Sequence, residues 1–306
     1  MQQILDLITG QFNAAEGEVR RLFHGRGRSY PGYEQLIIDL LPPVVIIRLF
    51  AEHDPAVIDG LDEYFRQLAG DYKPQVLVVQ HRYRQDDVIE VRWNHSDLDL
   101  DDVLQVQELG LSYNVRPLRN QNSGLFLDMR EGRRWVKDHS TNKRVLNLFA
   151  YTCGFSVAAI AGGADKVVNL DMSRGALNTG RDNHRLNQHP MQKVQFLGHD
   201  LFRSWGKLRR EGPYDLIVID PPSFQRGSFV ASNDYKKVLR RLPDLTEVGS
   251  ELLLCLNSPQ LDSQFLLQLV EEFCPEFSFV ERIENPVDFP DIDPEQALKV
   301  LLFKKS

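Results

Sequence analysis

Cysteine is scarce in this chain: Cys153, Cys255 and Cys274 lie far apart, and no two of them form a C-x-x-C pair. This argues against a cysteine-built zinc site and a disulfide framework, and points to a reducing, cytoplasmic setting. No metal site is expected. Long apolar runs are also missing, with no stretch approaching the roughly 18 residues that a membrane span needs. The opening Met1-Gln-Gln-Ile-Leu-Asp-Leu lacks the basic start and extended apolar core of a secretory signal. There is no excess of positive charge: 36 Lys and Arg stand against 43 Asp and Glu, a net charge of −7. An acidic chain is not a generic nucleic-acid coat, so any such contact must come from local basic clusters.

What is present is ordinary for a globular protein, with 42% hydrophobic and 26% charged residues. A length of 306 residues suggests two domains. Residues 1–23 are expected to be helical, with Ile4, Leu7, Ile8 and Phe12 on one face and Asn13 capping a second stretch over 14–22. A glycine- and proline-rich loop over 23–32 follows, and its His24, Arg26 and Arg28 could touch phosphate or simply be solvated. Residues 34–41 and 44–50 read as a hairpin around Pro42-Pro43. Asp54 and Pro55 suit a helix start, and Val57, Leu61, Tyr64, Phe65 and Leu68 give that helix an apolar face. Strands are expected over 75–80, 88–93 and 104–113, with an acidic solvated tip at 97–102. The expected domains are thus a small α+β module over 1–118 and a second domain over 119–306. The polar turn at 120–124 is the junction between them.

From Arg144 onward, strands and helices alternate. Strands are predicted at 145–149, 167–170, 194–197, 215–219, 251–256, 278–283 and 298–303. Such alternation implies a mostly parallel, doubly wound seven-stranded sheet with helices on both faces, edged by an antiparallel strand. The second domain is organised around its first strand-helix-strand unit. Val145 to Phe149 is a buried strand, Gly154 supplies the turn, Phe155 to Ile160 is an apolar helix, and Asp171 ends the next strand. Asp171 follows Gly154 by 17 residues, against roughly 20 for a ribose-binding acid in a dinucleotide unit. A carboxylate there can accept from both ribose hydroxyls of an adenosine cofactor. One glycine remains where a pyrophosphate cradle wants three, so a cofactor without phosphates fits better, and S-adenosylmethionine (SAM) is the candidate. An ordinary strand-helix-strand without a ligand is the bland alternative.

Tyr214-Asp-Leu-Ile-Val-Ile-Asp-Pro-Pro-Ser-Phe224 is the sharpest signal. Asp220 stands at the carboxyl end of a buried strand, where open α/β sheets bind ligands. Two prolines fix the backbone and remove two donors, leaving carbonyls free to accept. Asp220 and the Pro221 carbonyl can accept from an amino or ring N–H, and Phe224 offers a face for a planar base. A rigid proline turn with a core phenylalanine is the alternative reading.

These motifs together resemble the SAM-dependent methyltransferases of bacterial large-subunit ribosomal RNA, of the RlmI and RlmKL type. The matching residues are Gly124-Leu-Phe-Leu-Asp-Met-Arg130, Asn147-Leu-Phe-Ala-Tyr-Thr-Cys-Gly-Phe-Ser156, Asp171-Met-Ser173, Arg181-Asp-Asn-His-Arg-Leu-Asn187 and Asp220-Pro-Pro-Ser-Phe224. The likeness covers about residues 120–306, and the module before them is similar to the family's central domain. It implies a Rossmann-like class I methyltransferase domain. Phe149, Tyr151, Thr152 and Gly154 would line the methionine part of SAM. Asp171 would hold the ribose, Met172 would pack on the adenine, and Asp200 would accept from its amino group or cap a helix. Phe126, Asp128 and Arg130 would border the cofactor, although Arg130 could instead form an exposed salt bridge. Asp220 would border both cofactor and base.

Two departures stand out. Family members that methylate cytosine C5 carry a Ser-Cys-Ser stretch whose thiolate adds to C6. Here that stretch is Leu256-Asn-Ser258, which puts Asn257 at the nucleophile's place and is nearer to the Ser-Asn-Asn of the guanine-N7 member. Cys255, two residues earlier between Leu254 and Leu256, reads as a buried inert thiol. Neither kind of additional N-terminal RNA-binding domain is expected here. RNA docking is therefore expected from the small module and local basic patches, Arg26, Arg28, Arg133, Arg134 and Lys137 among them. The expected activity is SAM-dependent methylation of a nucleobase in ribosomal RNA by direct displacement. Asp220, the Pro221 carbonyl, Phe224 and Asn257 would hold the base, in a cytoplasmic monomer or homodimer. A methyltransferase on protein or small molecules and a non-catalytic RNA-binding factor are the rivals. The missing glycines disfavour a nicotinamide dehydrogenase.

Overall fold

The computed structural model describes residues 1–86, 88–96, 98–118, 123–222 and 229–306, and residues 224–225 by their backbone alone. Asp97 of the acidic tip, residues 120–122 of the expected junction, and Ser223 and the Phe224 side chain of the proline motif lie outside the described residues. The chain forms two compact units, Met1–Asp128 with Pro286–Ile292, and Met129–Asn285 with Asp293–Ser306.

In the first unit, α1 (Gln2–Ala15) ends where Glu16 and Gly17 take left-handed φ values of 49° and 84°. The second helical stretch expected over 14–22 is not there. Arg20–His24 is a strand, β1, which pairs antiparallel with β2 (Leu36–Leu41) and buries Leu22 and Phe23 in the core. Sheet pairing overrides a weak local helical pattern. β3 (Val44–Leu49) closes the expected hairpin, with Leu41 opposite Val44 across a cis Pro42-Pro43 bond. Helix α2 (Pro55–Gln67) begins as read, with the Asp54 side chain accepting from Ala56 N at 2.9 Å. α2 carries the crossover to β4 (Val76–His81), parallel to β3, and β5 (Ile89–Asn94) adds antiparallel. The five strands lie in chain order, and α1 and α2 bury Ile4, Ile8, Ile58, Leu61 and Phe65 against one face. The single strand expected over 104–113 is a hairpin, β6 (Leu104–Glu108) and β7 (Leu111–Val115). Leu109 and Gly110, at φ 55° and 70°, supply the paired left-handed residues of a two-residue turn.

The second unit opens with α3 (Arg130–His139) and then alternates: β8 (Arg144–Leu148), α4 (Gly154–Ala161), β9 (Lys166–Asp171), α5 (Arg174–Leu186), β10 (Val194–Gly198), α6 (Trp205–Glu211) and β11 (Tyr214–Ile219). A two-residue pair, β12 (Phe224–Gln225) and β13 (Phe229–Val230), precedes α7 (Ala231–Leu239), β14 (Thr246–Leu256), α8 (Ser263–Phe273), β15 (Phe277–Ile283) and β16 (Lys299–Lys305). The large sheet runs β10-β9-β8-β11-β14-β16-β15. It is doubly wound, because alternate strand residues feed two cores. Leu146, Leu148, Ile217 and Ile219 pack with α7 and α8, while Val145, Leu216 and Val218 pack with α3 and α4. One detail differs from expectation: the antiparallel strand β16 is not the edge but lies between β14 and β15. Its Val300 to Phe303 are all buried, whereas β15 exposes Ser278 to Glu281, so the apolar strand takes the interior place.

Candidate active site

Four parallel strands share one register, with Leu170 of β9, Leu148 of β8, Ile219 of β11 and Leu254 of β14 side by side. The following residue of each therefore stands on one line at the carboxyl edge of the sheet: Asp171, Phe149, Asp220 and Cys255. From β8 the chain proceeds to β9 and β10 on one side and returns to β11 and β14 on the other. Crevices at such a reversal are where open α/β sheets hold ligands.

The loop after β8 is bent by three non-glycine residues in left-handed conformation: Phe149 (φ 58°), Tyr151 (φ 47°) and Cys153 (φ 64°). Backbone of this kind costs on the order of 1–3 kcal/mol per residue and needs outside support. Asp171 provides some of it, accepting from Tyr151 N at Oδ2 (2.8 Å) and from Ser173 N at Oδ1 (2.7 Å). Asn183 of α5 holds the other side, its Nδ2 donating to the Thr152 carbonyl at 3.0 Å. At Gly180 of α5 the helix lies so close that an added Cβ would sit 2.3 Å from the Cys153 Sγ. Cys153 is fully buried, and burial first, then the Asp171 charge, raises its pKa, so it stays a thiol. Phe149 meets Phe229 edge-on at 5.0 Å, and Phe229 packs on Tyr235 at 5.5 Å. The Tyr235 hydroxyl donates to the Cys255 carbonyl and, at 3.5 Å, to that of Ile219, tying the ends of β14 and β11.

The remaining sequence-derived residues fall as follows. Gly154 opens α4, Thr152 is buried, and Met172 beyond Asp171 is 57% exposed. Asp200 caps the short helical turn Leu201–Arg203, accepting from Phe202 N at 2.7 Å. Asp220 is half-buried and Pro221 buried. Asn257 is exposed just past β14, while Cys255 is 0% exposed on the α3–α4 face. Arg130 is buried rather than exposed, with its Nε 3.4 Å from Glu131 Oε1. Arg133 is 3% exposed and Arg134 is paired with Glu131 at 2.9 Å, so α3 is not a row of free cations. Phe126 and Asp128 belong to the first unit, in the short turn region preceding α3.

Several residues escaped the sequence reading. Beneath the loop, Asn147 Nδ2 donates to Asn169 Oδ1 (2.9 Å) and Asn169 Nδ2 to Ser156 Oγ (2.9 Å). Ser156 Oγ lies 2.8 Å from His184 Nε2, and His184 Nδ1 lies 3.0 Å from His189 Nδ1. Burial first, with His189 adding to it, lowers the His184 pKa to about 3, so the ring is neutral. The available signal was an asparagine inside each of two apolar strand runs. Lys299 is buried, donating from Nζ to the Ser258 and Glu295 carbonyls, each at 2.7 Å, and so braces the turn after Asn257. Burial brings its pKa down to about 8.

The residues fit an adenosine cofactor without phosphates. A carboxylate ends the second strand, and Phe, Tyr and Cys side chains occupy left-handed positions that a phosphate cradle would give to glycine. Fold and strand-end geometry together define a Rossmann-like class I methyltransferase. The sequence pattern of the S-adenosylmethionine-dependent methyltransferases matches residues 20–304, and the chain belongs to that family. SAM is the family's cofactor. A Bacillus subtilis protein, provisionally named ribosomal RNA large subunit methyltransferase YwbD, is 28% identical over 96% of this chain and 76% of its own length. Ribosomal RNA large subunit methyltransferase I of Photobacterium profundum is 32% identical over 60% of this chain and 49% of its own. The chain thus spans about half the length of several curated relatives that it matches. A crystal structure of a provisionally assigned methyltransferase complexed with SAH superposes with a TM-score of 0.84 at 24% identity, covering 99% of this chain and 81% of that one. The tRNA m1G37 methyltransferase of M. jannaschii gives 0.62 at 18% identity, covering 99% and 78%. Among the described residues, no helix is long and apolar enough to cross a membrane.

Proposed function

We propose that this chain methylates a nucleobase of large-subunit ribosomal RNA in the cytoplasm, using SAM, at a ring or exocyclic nitrogen such as one on guanine rather than at cytosine C5. The observation that carries this reading is the in-register line of strand ends, with Asp171 on one side of the Phe149–Cys153 loop and Asp220 on the other. The names of the curated relatives supply the substrate class. SAM, when bound, supplies an electrophilic methyl group. Asp171 keeps the outer lone pairs of both carboxylate oxygens for ribose hydroxyls while its inner ones brace the loop. Phe149, Tyr151, Thr152 and Gly154 form the wall of that end, and Met172 and Asp200 flank the adenine. Arg130 borders the cofactor's amino-acid end.

Asp220 and the Pro221 carbonyl accept from the Watson–Crick edge of a base. A base in a duplex must be extruded to reach such a pocket. Asn257 lies past β14 where its amide can bond a base edge, and it cannot serve as a covalent nucleophile. Cys255 is shut away in an apolar layer. Without a thiolate to add at C6, cytosine C5 is too weak a nucleophile, whereas a ring nitrogen already carries the attacking pair. The test is nucleoside mass spectrometry of ribosomal RNA from a deletion strain, followed by restoration of the missing methyl group with purified protein. Unchanged nucleosides, together with no transfer to ribosomal RNA in vitro, overturn the reading.

A further inference from the structure

The second face of the five-stranded sheet in the first unit is apolar at Ile37, Leu41, Val44, Ile46, Val76 and Val78, but it also carries charge. Its alternate positions carry Arg21 on β1, Asp39 on β2 and Arg48 on β3, with Arg82 just past β4. These side chains line a hollow of about 230 Å³ whose lining also includes the rings of Phe50 and Phe126. Asp39 is fully used: it accepts from Arg21 Nε and from Arg48 Nη1. Burial raises its pKa, but the two guanidinium groups outweigh that and hold it below the usual carboxylate range. Arg48 is oriented further by Gln80, whose Oε1 accepts from Nε at 2.8 Å. Arg82 makes no hydrogen bond or ion pair with any described residue; only its backbone N is engaged, donating to the Leu49 carbonyl at 2.8 Å. Arg26 lies over the Phe50 ring at 4.2 Å and adds a fourth cation. Asp39 and Asp128 are the carboxylates on the lining. The hollow therefore keeps positive charge in a chain whose net charge is −7.

We propose that this hollow is a subsite for one nucleotide of the substrate RNA, with a phosphodiester on Arg82 and the outer edge of Arg48 and a base or ribose against Phe126. The proposal rests on the reading of the chain as an RNA methyltransferase and names a docking point for that RNA within the first unit. A forked guanidinium matches phosphate oxygens, and a second one held rigid by Asp39 and Gln80 loses little freedom on binding. Phe126 is 39% exposed, a large apolar surface beside the cations. A bare phosphate ion would leave that ring unused, whereas a nucleotide covers both cations and ring.

Arg82→Gln tests this, because it breaks no intramolecular bond described above. Arg48→Gln would instead leave Asp39 half-paired inside the sheet. Binding of a labelled large-subunit ribosomal RNA fragment is measured by fluorescence anisotropy across a salt series, alongside calorimetry with S-adenosylhomocysteine. The variant is expected to bind RNA roughly tenfold more weakly, with a salt slope reduced by about 0.7–0.9, one phosphate's worth, and with unchanged S-adenosylhomocysteine affinity. Unchanged RNA affinity and slope in Arg82→Gln overturn the subsite while leaving the RNA reading intact. A wild-type protein that binds S-adenosylhomocysteine but no ribosomal RNA overturns both. In a parallel arm, inorganic phosphate is titrated against thermal unfolding. Stabilisation that Arg82→Gln abolishes, without any loss of RNA affinity, would assign the hollow to free phosphate instead.

Discussion

Replacing Asp171 separates cofactor binding from loop support. Its two carboxylate oxygens each accept one backbone N–H, from Tyr151 at 2.8 Å and Ser173 at 2.7 Å, and each keeps a second lone pair. On the proposed reading, Asp171→Ala removes charge-assisted contacts to the ribose worth about 1.5–3 kcal/mol. At about 1.4 kcal/mol per decade, SAM and S-adenosylhomocysteine should bind roughly 10–150-fold more weakly. The same change strips Tyr151 N of its acceptor beside two other left-handed residues, so unfolding stability should fall by about 1–3 kcal/mol as well. Asp171→Asn keeps one acceptor oxygen but turns an NH2 toward a backbone N–H. It should recover part of the stability and little of the affinity. Calorimetry with S-adenosylhomocysteine and urea unfolding of the three proteins give both readouts. Affinity within about 3-fold of wild type in Asp171→Ala, with stability reduced, would show that the carboxylate is only a loop brace and refute the ribose assignment.

Gly180→Val should cost about 1–3 kcal/mol by forcing a methyl-bearing carbon onto the buried Cys153 thiol, and should weaken cofactor binding through the same loop. An unchanged melting temperature would mean that α5 shifts freely. Acid should destabilise the protein steeply below pH 6.5. Burial lowers His184 to about 3, and burial with Arg21 beside it lowers His24 to about 3, so in that range only the unfolded chain takes up these two protons. The stability they provide is complete above about pH 6.5 and is lost toward pH 3, at up to about 1.4 kcal/mol per pH unit for each ring. Urea midpoints that stay flat from pH 7.5 to 5 would contradict this. Cys255→Ser should keep most activity, and RNA containing 5-fluorocytosine should form no stable adduct. An adduct that disappears in that variant would show that the thiol is the nucleophile and cytosine C5 the target.

Much of the second unit is determined by local pattern. Short apolar strands separated by helices fix an α/β sheet, because a strand buried on both faces must be apolar throughout. Asp171 and Asp220 stand out in the sequence because an acid directly after an apolar run marks the carboxyl end of a buried strand, and both lie at such ends in the fold. The first unit is less local. Arg20–His24 reads as helix continuation and becomes a strand only because β2 offers it hydrogen bonds and a core for Leu22 and Phe23. β16 takes an interior place in the sheet, which its position as the last segment of the chain hides, because exposing Val300 to Phe303 would cost more than exposing β15. The supports of the candidate site are tertiary too. Asn183 reaches the Thr152 carbonyl from a position 31 residues away, and Gly180 matters only because Cys153 lies against it. Likewise, Arg133 looks like a surface cation in the sequence and is buried in the fold. Sequence sets which faces are apolar and where acids end strands. Which distant side chains meet depends on strand order and helix packing, and those are settled by burying all the apolar faces at once.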